Sequence, residues 1–230
     1  MEYKKIKKAT FLQRNNRFVA RVLLDETEEV VHVKNTGRCK ELLLEGAMVY
    51  LAEAEGTARK TRFDLVAVEK KTDFGTVLIN MDSSAPNEVV AEWLKAGHFV
   101  SKFATIKREV FFGKSRFDFY VEDGKRRIFL EVKGVTLEKD GRVFFPDAPT
   151  LRGVKHIEEL IVAKEAGFEA VILFVIQMKG AKVFSPNDIT HREFGSALRL
   201  AAQKGVRILA YDCSVLPNSL EIRDPVPVLL

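Results

Sequence analysis

A hairpin signal within residues 115–133 constrains the fold of this chain more than any other feature. Asp123 and Gly124 lie between two runs rich in aromatic and β-branched residues, and Asp-Gly in this setting is typical of a two-residue β-hairpin turn. With Asp123-Gly124 as the turn, Phe117 is predicted to lie opposite Leu130. We therefore expect two antiparallel strands joined directly by this turn.

Alternation of side chains along these strands predicts one apolar face and one charged face. The apolar face carries branched and aromatic side chains, namely Phe117, Phe119, Val121, Ile128, Leu130 and Val132. The charged face carries Arg116, Asp118, Glu131 and Lys133. In this register Asp118 and Glu131 are diagonal neighbours with backbones about 7–8 Å apart, which brings both carboxylates within reach of one cation.

Two carboxylates and an amine on one strand face suit phosphodiester hydrolysis. Carboxylates bind a hard cation such as Mg²⁺ or Mn²⁺, the cation polarises the phosphoryl group and a bound water, and a lysine stabilises developing negative charge. A solvated strand face with Glu–Lys pairs is the alternative, and an E-x-K tripeptide alone would favour it. The separate apolar face and the preceding aspartate favour Asp118, Glu131 and Lys133 as catalytic residues, with Asp118 and Glu131 binding the metal.

Composition excludes several other classes of protein. The chain has 230 residues, of which 47% are hydrophobic and 30% charged, which is typical of a soluble protein with one large or two small domains. No apolar run approaches the ~20 residues that span a bilayer, and no apolar signal core follows the basic N-terminus. Cys39 and Cys213 lack metal or redox spacing and are expected to be reduced thiols. We therefore expect a cytoplasmic protein that does not bind membranes.

The charge balance favours an anionic partner. The formal net charge is +5, and the Lys and Arg residues are spread along the chain, so a basic patch has to be assembled by folding. The four His residues show no ligand spacing, and neither a P-loop nor a dinucleotide-binding motif is present.

Residues 10–80 are predicted to form five or six short strands, with one helical turn at residues 39–44. This spacing predicts a small closed barrel of the OB type, a class that often binds single-stranded nucleic acid or oligosaccharide. Lys34 and Arg38 flank the loop after the third strand and are candidates for binding a backbone phosphate, although an ordinary turn is the more common explanation. Asp64 follows an Arg-Phe pair as Asp118 does, but no E-x-K strand succeeds it, so we interpret it as structural.

Residues 81–86 resemble a linker and predict a boundary between domains 1–84 and 85–230. Beyond it, the pattern predicts a helix that Asn87 caps, a hairpin, two further helices and a central strand buried on both faces. The predicted bounds are 87–96 for the first helix, 105–112 for the strand before the hairpin, 151–166 and 190–204 for the later helices, and 170–177 and 206–211 for the later strands. A tail rich in proline is expected to wrap the surface.

Further charged residues of the second domain are candidates for binding metal or nucleic acid. Glu92 and Asp147 are additional candidate metal ligands, and a surface or loop-stabilising role is the alternative for each. Arg152, Lys155 and His156 are predicted to cluster on the first two turns of a helix, away from its apolar stripe. Cations at a helix N-terminus are unfavourable unless an anion binds there, so a phosphate would satisfy both the dipole and the side chains. An ordinary basic helix start is the alternative.

The order helix, hairpin, helix and buried strand resembles the PD-(D/E)xK nuclease fold, whose metal-binding and catalytic set matches Asp118, Glu131 and Lys133. Over nearly the whole chain, four motifs are similar to the sugar fermentation stimulation protein A family: Asn35-Thr36-Gly37-Arg38, Ser115-Arg116-Phe117-Asp118-Phe119, residues 131–137 and residues 145–156. The resemblance implies an N-terminal OB-like barrel, a C-terminal nuclease-like α/β domain with a central mixed sheet, and DNA binding.

Two functions therefore compete. One is a Mg²⁺-dependent nuclease in which Arg116, Lys34, Arg38 and the helix-start cluster contact DNA, either single-stranded or structured. The other is a non-catalytic DNA-binding regulator of sugar-utilisation genes. The complete acid-acid-lysine set favours the enzyme, because a pure binder does not need it. A carbohydrate-binding module is supported only by the barrel and the family name. The sequence leaves the oligomeric state open.

Overall fold

A closed barrel forms the N-terminal part of the protein. The computed structural model describes residues 1–35, 37–54, 60–73 and 75–230. Thr36, of the motif at residues 35–38, lies outside the described residues. The strands of this part are β1 (Ile6–Arg14), β2 (Val19–Leu24), β3 (Thr27–Val33), β4 (Met48–Glu53), β5 (Phe63–Thr72) and β6 (Gly75–Asn80). They pair in the order β3-β2-β1-β4-β5-β6, and a further β3–β5 pairing closes the barrel.

The barrel encloses alternate apolar side chains of its strands. Phe11, Val22, Val49 and Leu65 are almost fully buried inside it, as the two-residue period of a half-buried strand requires. The predicted OB-like barrel is therefore confirmed. Asp64 is buried in the barrel wall, with a carboxylate oxygen 2.9 Å from a ring nitrogen of His32 on the parallel neighbour β3.

The second part is a six-stranded mixed sheet between helices. Its elements are α1 (Ala85–Lys95), β7 (Thr105–Phe112), β8 (Ser115–Asp123), β9 (Arg126–Val135), β10 (Leu137–Lys139), β11 (Arg142–Phe145), α2 (Leu151–Glu165), β12 (Glu169–Ile176), β13 (Val183–Pro186), α3 (Arg192–Gln203), β14 (Arg207–Leu216) and β15 (Ser219–Pro225). The sheet order is β15-β14-β12-β9-β8-β7, with β9, β12 and β14 parallel. This is the predicted α/β arrangement with a central mixed sheet.

Helices cover both faces of this sheet. The apolar stripe of α1 packs with Leu130 and Leu173 on one face. The stripes of α2 and α3 pack with Phe129 and Phe174 on the other face. The central strand β12 is buried along almost its whole length, as its continuous apolar sequence predicts. Within the described residues, no helix is long and apolar enough to cross a membrane.

The hairpin forms, but its register differs from the prediction by two residues. Phe119 rather than Phe117 lies opposite Leu130, and Asp123 pairs with Arg126. The turn is therefore Gly124-Lys125, with a positive φ of 61° at Gly124, as suits a glycine at the first central position of a tight hairpin turn. Because the shift is an even number of residues, most side chains keep the predicted face.

Phe117 is the exception to the predicted faces. Its ring lies 5.4 Å from that of Phe129, in the core under α2, and not with Phe119. The pairing of β7 with β8 is interrupted between Arg108 and Val110, where Glu109 has a positive φ of 57°. In an unbroken ladder Asp118 would pair with Glu109, but this pair is absent. The alternation of side chains along β8 is therefore interrupted at Asp118.

Residues 81–86, predicted to form a linker, are a connection between the two parts that is largely buried. Met81 and Asp82 are 0% and 1% exposed, and the segment is held by hydrogen bonds such as Asn80 N–H to Gln177 C=O at 2.9 Å. Helix α1 begins at Ala85 with Ser84 as N-cap, so the predicted cap at Asn87 is wrong. The domain boundary at residues 84 and 85 stays a prediction.

Two strand regions escaped the sequence analysis. The expected surface tail instead forms β15, which pairs antiparallel with β14 at the edge of the main sheet. Pro217 lies in the turn before β15 and Pro225 ends it, so neither proline interrupts a central ladder. The second region is the separate three-stranded sheet of β10, β11 and β13, since the sequence pattern predicts none of these short strands.

Candidate active site

The site begins where the ladder between β8 and β9 ends. The last cross-strand pair at this end joins Phe119 to Leu130. Beyond it, the backbone N–H of Val132 donates to the Asp118 carboxylate at 2.7 Å. The other oxygen of Asp118 accepts a hydrogen bond from the Asn87 amide, on the first turn of α1, at 2.8 Å. The break in the ladder thus turns the Asp118 carboxylate toward β9.

Glu131 is buried at the centre of the same strand end, with 2% of its surface exposed. Its Oε1 accepts from the Lys133 amine at 2.5 Å and from Nδ1 of His156 on α2. Its Oε2 is buried and has no hydrogen-bond partner among the described residues. Buried carboxylate oxygens are nearly always satisfied, so this atom marks a place for a cation or a water.

The two carboxylates have opposite electrostatic environments. Burial, followed by the charge of Glu131, raises the pKa of Asp118 above its ordinary value, against the hydrogen bonds from Val132 and Asn87. Burial also acts to raise the pKa of Glu131, but hydrogen bonds and charge from His156 and Lys133 outweigh it and hold that pKa below its ordinary value. Glu131 is therefore ionised and its charge disfavours ionisation of Asp118. A divalent cation between them would relieve this repulsion.

The residues present fit a cation that keeps part of its water shell. Among the described residues, no group of three or more His, Cys, Asp or Glu side chains is arranged to hold a metal ion. Mg²⁺ is usually bound through one or two carboxylates, with waters and substrate phosphates as the remaining ligands. The unpartnered Oε2 of Glu131 and the adjacent Asp118 carboxylate supply that donor set.

The two additional metal candidates lie elsewhere. Glu92 is exposed on α1 and binds the N-terminal amine of Met1 at 2.6 Å. Asp147 lies in the loop before α2, where it lines a groove between the barrel and the second domain. The structure therefore does not join either side chain to the Asp118–Glu131 pair.

The cluster at the start of α2 divides into buried and exposed parts. The prediction that His156 lies away from the buried stripe of α2 is wrong, because its side chain is buried against Glu131. Arg152 Nε lies 3.4 Å from Nε2 of His156, an arrangement that suits the tautomer protonated at Nδ1. Arg152 and Lys155 are exposed, and the Lys155 amine donates to the Lys114 carbonyl at 3.1 Å.

The remaining basic candidates are not equivalent. Arg116 is exposed and paired with Glu109 at 2.8 Å. Arg38 is exposed on the barrel loop. Lys34 instead forms an ion pair at 2.8 Å with Asp82, which is buried at the junction of the two parts, so its contact is structural.

The sequence analysis names Asn87 as a helix cap and His156 as a phosphate contact, but it misses that both are positioning residues. Asn87 orients Asp118 from 31 residues away, and His156 orients Glu131 from 25 residues away. A third, Arg14, donates to backbone carbonyls of the loops at residues 16–17 and 35–38. Such long-range contacts leave no spacing signal in a single sequence.

Comparison with known proteins supports one family over the whole chain. Residues 12–80 match the model of the SfsA N-terminal OB domain, and residues 84–219 match that of the sugar fermentation stimulation protein RE domain. A sugar fermentation stimulation protein homolog of Desulfitobacterium hafniense strain Y51 is 54% identical over 230 residues, covering 100% of this chain and 99% of the relative. The homolog of Ruminiclostridium cellulolyticum is 51% identical and covers 100% of both chains.

A solved structure shows the same architecture. The structure of Pyrococcus furiosus SfsA in complex with Ca²⁺ superposes with a TM-score of 0.87 and 28% sequence identity, covering 100% of this chain and 98% of that chain. Sequence and structure therefore agree over both parts of the molecule. The chain belongs to the sugar fermentation stimulation protein A family.

Proposed function

We propose that the protein binds DNA and hydrolyses phosphodiester bonds with Mg²⁺ or Mn²⁺ held by Asp118 and Glu131. The observation that carries this proposal is the buried Oε2 of Glu131, which has no partner among the described residues, beside the Asp118 carboxylate, whose pKa is raised by burial and by the charge of Glu131. Folding alone favours pairing or solvating that oxygen. A cation held by both Glu131 and a substrate phosphate would account for the missing partner of this oxygen.

The residues around the pair have distinct roles in this proposal. Bound Mg²⁺ supplies Lewis-acid activation of the phosphoryl group. Lys133 places a positive charge on the same side as Glu131, where it stabilises negative charge that develops during cleavage. His156 and Asn87 fix the orientation of the Glu131 and Asp118 carboxylates through one hydrogen bond each.

Cation binding within the family adds support. The Pyrococcus furiosus SfsA structure was determined in complex with Ca²⁺. Ca²⁺ and Mg²⁺ are both hard cations that take oxygen ligands, although Ca²⁺ accepts more of them at longer distances. Carboxylates that bind one of these ions are therefore reasonable ligands for the other.

DNA binding is proposed through the exposed cations near the site. Arg116, Arg152 and Lys155 are exposed at the start of β8 and the start of α2, and Arg38 is exposed on the barrel. The net charge of +5 adds a general attraction for a polyanion. Lys34 is left out, because Asp82 already neutralises it.

The salt dependence of DNA affinity tests this surface. We expect Lys155→Ala or Arg152→Ala to reduce the slope of log affinity against log salt by about one unit, because each removes one phosphate contact. Lys95→Ala is the matched control, since Lys95 is exposed at the end of α1, across the sheet. Unchanged slopes in both α2 variants would assign this helix start to structure.

The second candidate function is a DNA-binding regulator without turnover. It is favoured by one observation: the Lys133 amine already neutralises the charge of Glu131, and His156 donates a hydrogen bond to the same oxygen, without a metal. A panel of labelled DNA and RNA structures, incubated with Mg²⁺ or Mn²⁺, separates the two functions. Metal-dependent cleavage of any member supports the enzyme, whereas binding with no cleavage across the panel supports the regulator.

A further inference from the structure

A groove between the barrel and the second domain lies next to the candidate active site and is not used by the mechanism above. Its cavity volume is about 280 Å³. Asn35 and Gly37 of the barrel loop line one side, and Gly134, Asp147 and Gln177 of the second domain line the other. Two of the sequence motifs singled out above, at residues 35–38 and 145–156, therefore meet in this groove.

The groove and the active site are built on the same three elements. Gly134 lines the groove and directly follows Lys133 on β9. Thr150 lines it as the N-cap of α2, the helix that carries His156. On α1, Pro86 lies so close to Gly134 that an added Cβ there would meet Pro86 Cγ at 2.8 Å, and the next residue, Asn87, orients Asp118. A strand of DNA at the site would thus place a neighbouring nucleotide at the groove.

Two residues that line the groove, Gly37 and Gly134, are glycines that pack tightly against other lining residues. A Cβ at Gly37 would lie 2.6 Å from Oδ2 of Asp147, and a Cβ at Gly134 would lie 2.5 Å from Oε1 of Gln177. The Gln177 amide donates to Asn80 and to the Asp82 carbonyl, which leaves its Oε1 facing Gly134. The backbone at Gly37 and Gly134 therefore packs directly against the Asp147 and Gln177 side chains, as only glycine allows.

The charge of the lining residues favours a base over a phosphate. Among the described lining residues, Asp147 is the only charged one. None of the described residues forms a hydrogen bond or ion pair with its carboxylate, which is half-buried. Most of the other lining residues are apolar, among them Leu137, Pro146 and Pro149. A ligand for this groove therefore has a flat apolar body and hydrogen-bond donors that meet a carboxylate, which describes a nucleobase and not the sugar-phosphate backbone.

We propose that the groove holds an unpaired guanine of the DNA bound at the active site, an inference that rests on the proposed function. Guanine presents two adjacent donors, N1–H and N2–H, that match the two oxygens of Asp147. Adenine and cytosine place an acceptor beside their amino group, and thymine places acceptors on both sides of its single N–H, so each would face the carboxylate with a repulsive atom. These donors of guanine are occupied in duplex DNA, so the substrate is single-stranded or has an extruded base.

Equilibrium binding of short oligonucleotides tests the proposal without relying on cleavage. The probes are labelled thymidine oligonucleotides in which one central position is guanine, adenine, cytosine or thymine, measured in a metal chelator at low salt. We expect the wild type to bind the guanine probe roughly tenfold tighter than the others, the scale of one bidentate base contact. Asp147→Asn is expected to reduce that ratio to near one.

Ratios between probes are the readout, because removing a negative charge tightens binding to every probe alike. Asp140→Asn is the matched control: Asp140 is exposed in the β10–β11 turn, and its positive φ of 55° is tolerated by asparagine. The Asp140→Asn protein should still bind the guanine probe more tightly than the other three probes. Equal, salt-dependent affinity for all four probes, or a preference that survives Asp147→Asn, overturns the guanine site and leaves DNA binding intact. No binding of any probe at low salt overturns the guanine site, and no binding of duplex or branched DNA either, with Mg²⁺ present, overturns the proposed function as well.

Discussion

At the residue scale, hydrogen bonds already fix the Glu131 carboxylate where the proposed cation would bind. His156 and Lys133 share one oxygen of the carboxylate, and the other oxygen is left without a partner among the described residues. In the proposed function His156 is a positioning residue, since it would act on the cation only through Glu131.

Replacement of His156 tests this role. We expect His156→Ala to lower the affinity for Mn²⁺ by about 10–100-fold, the usual effect of removing a hydrogen bond from a metal ligand. Calorimetric titration of the folded proteins measures it. His98→Ala is the control, because His98 is exposed at the end of α1. Equal Mn²⁺ affinity in all three proteins would leave the Glu131–His156 contact as a stabilising pair only.

At the element scale, the sequence predicts the existence of the hairpin better than its register. Asp-Gly marks the turn, but the Asp123 carboxylate accepts from the Ser101 N–H at 3.1 Å and stays in the strand. The E-x-K spacing correctly predicts that Glu131 and Lys133 share a face, because this depends only on β9. The position of Phe117 depends on Glu109 in another strand, and local patterning carries no information on it.

Helices and buried strands were predicted well for a related reason. The periodicity of residues 151–165 and the continuous apolar run of β12 report directly on burial. Caps and edge strands depend on neighbours that are distant in sequence. Thus α1 begins before the predicted cap, and β15 forms because β14 offers it a free edge.

The loop at residues 35–38 depends on a single side chain of β1. The Arg14 guanidinium donates to the carbonyls of Asn16, Arg17, Asn35, Gly37 and Arg38 at 2.6–3.2 Å. We expect Arg14→Lys to lower the free energy of unfolding by about 1–3 kcal/mol, because an ammonium group leaves several of these carbonyls unpaired. Urea unfolding measures the change.

Arg21→Lys is the control for this substitution. Arg21 is exposed on β2 and pairs with Glu28 at 3.0 Å, a type of surface contact that contributes little. Its stability should be close to that of the wild type. Equal stability of the Arg14→Lys protein would show that the loop holds its shape without the guanidinium.

At the scale of the whole molecule, the two parts are joined by buried polar contacts and not by a flexible linker. Lys70 on β5 donates to the Glu138 carboxylate on β10 at 2.6 Å, and Glu138 is 8% exposed. Asp82 receives Lys34 from the barrel loop at 2.8 Å. A strand of DNA that contacts both parts would therefore meet one preformed surface.

The Lys70–Glu138 contact predicts a pH-dependent stability. Burial acts to raise the pKa of Glu138, but hydrogen bonds from Lys70 and from the Gly141 N–H outweigh it, so the folded-state pKa lies below the ordinary value. Its contribution is therefore fully present above the unfolded pKa, about 4.3, and is lost as the pH falls through the folded-state pKa. We expect Glu138→Gln to lower the free energy of unfolding by about 1–3 kcal/mol at neutral pH.

Chemical unfolding across the pH range measures this contribution. The difference between the wild type and Glu138→Gln should be constant near neutral pH and should shrink below about pH 4. Glu122→Gln is the control, since its pair with Lys107 is exposed and 3.7 Å long. A difference that does not change with pH would contradict an ionic contribution between the two parts.

The most direct test of the central claim is the rate of phosphodiester cleavage by wild-type and Lys133→Ala proteins. Lys133 is the sharpest choice, because removing Asp118 or Glu131 would also relieve repulsion of DNA. Lys125→Ala, in the exposed hairpin turn, removes the same charge away from the site.

We expect the wild type to cleave at least one DNA or RNA structure of a broad panel only when Mg²⁺ or Mn²⁺ is present. Lys133→Ala should lose roughly 10²-fold or more in rate while binding the same substrate, the scale of removing one electrostatic stabiliser, and Lys125→Ala should cleave like the wild type. If the wild type, folded by its melting curve and bound to DNA, cleaves no member of the panel with either metal, the proposed nuclease function is contradicted.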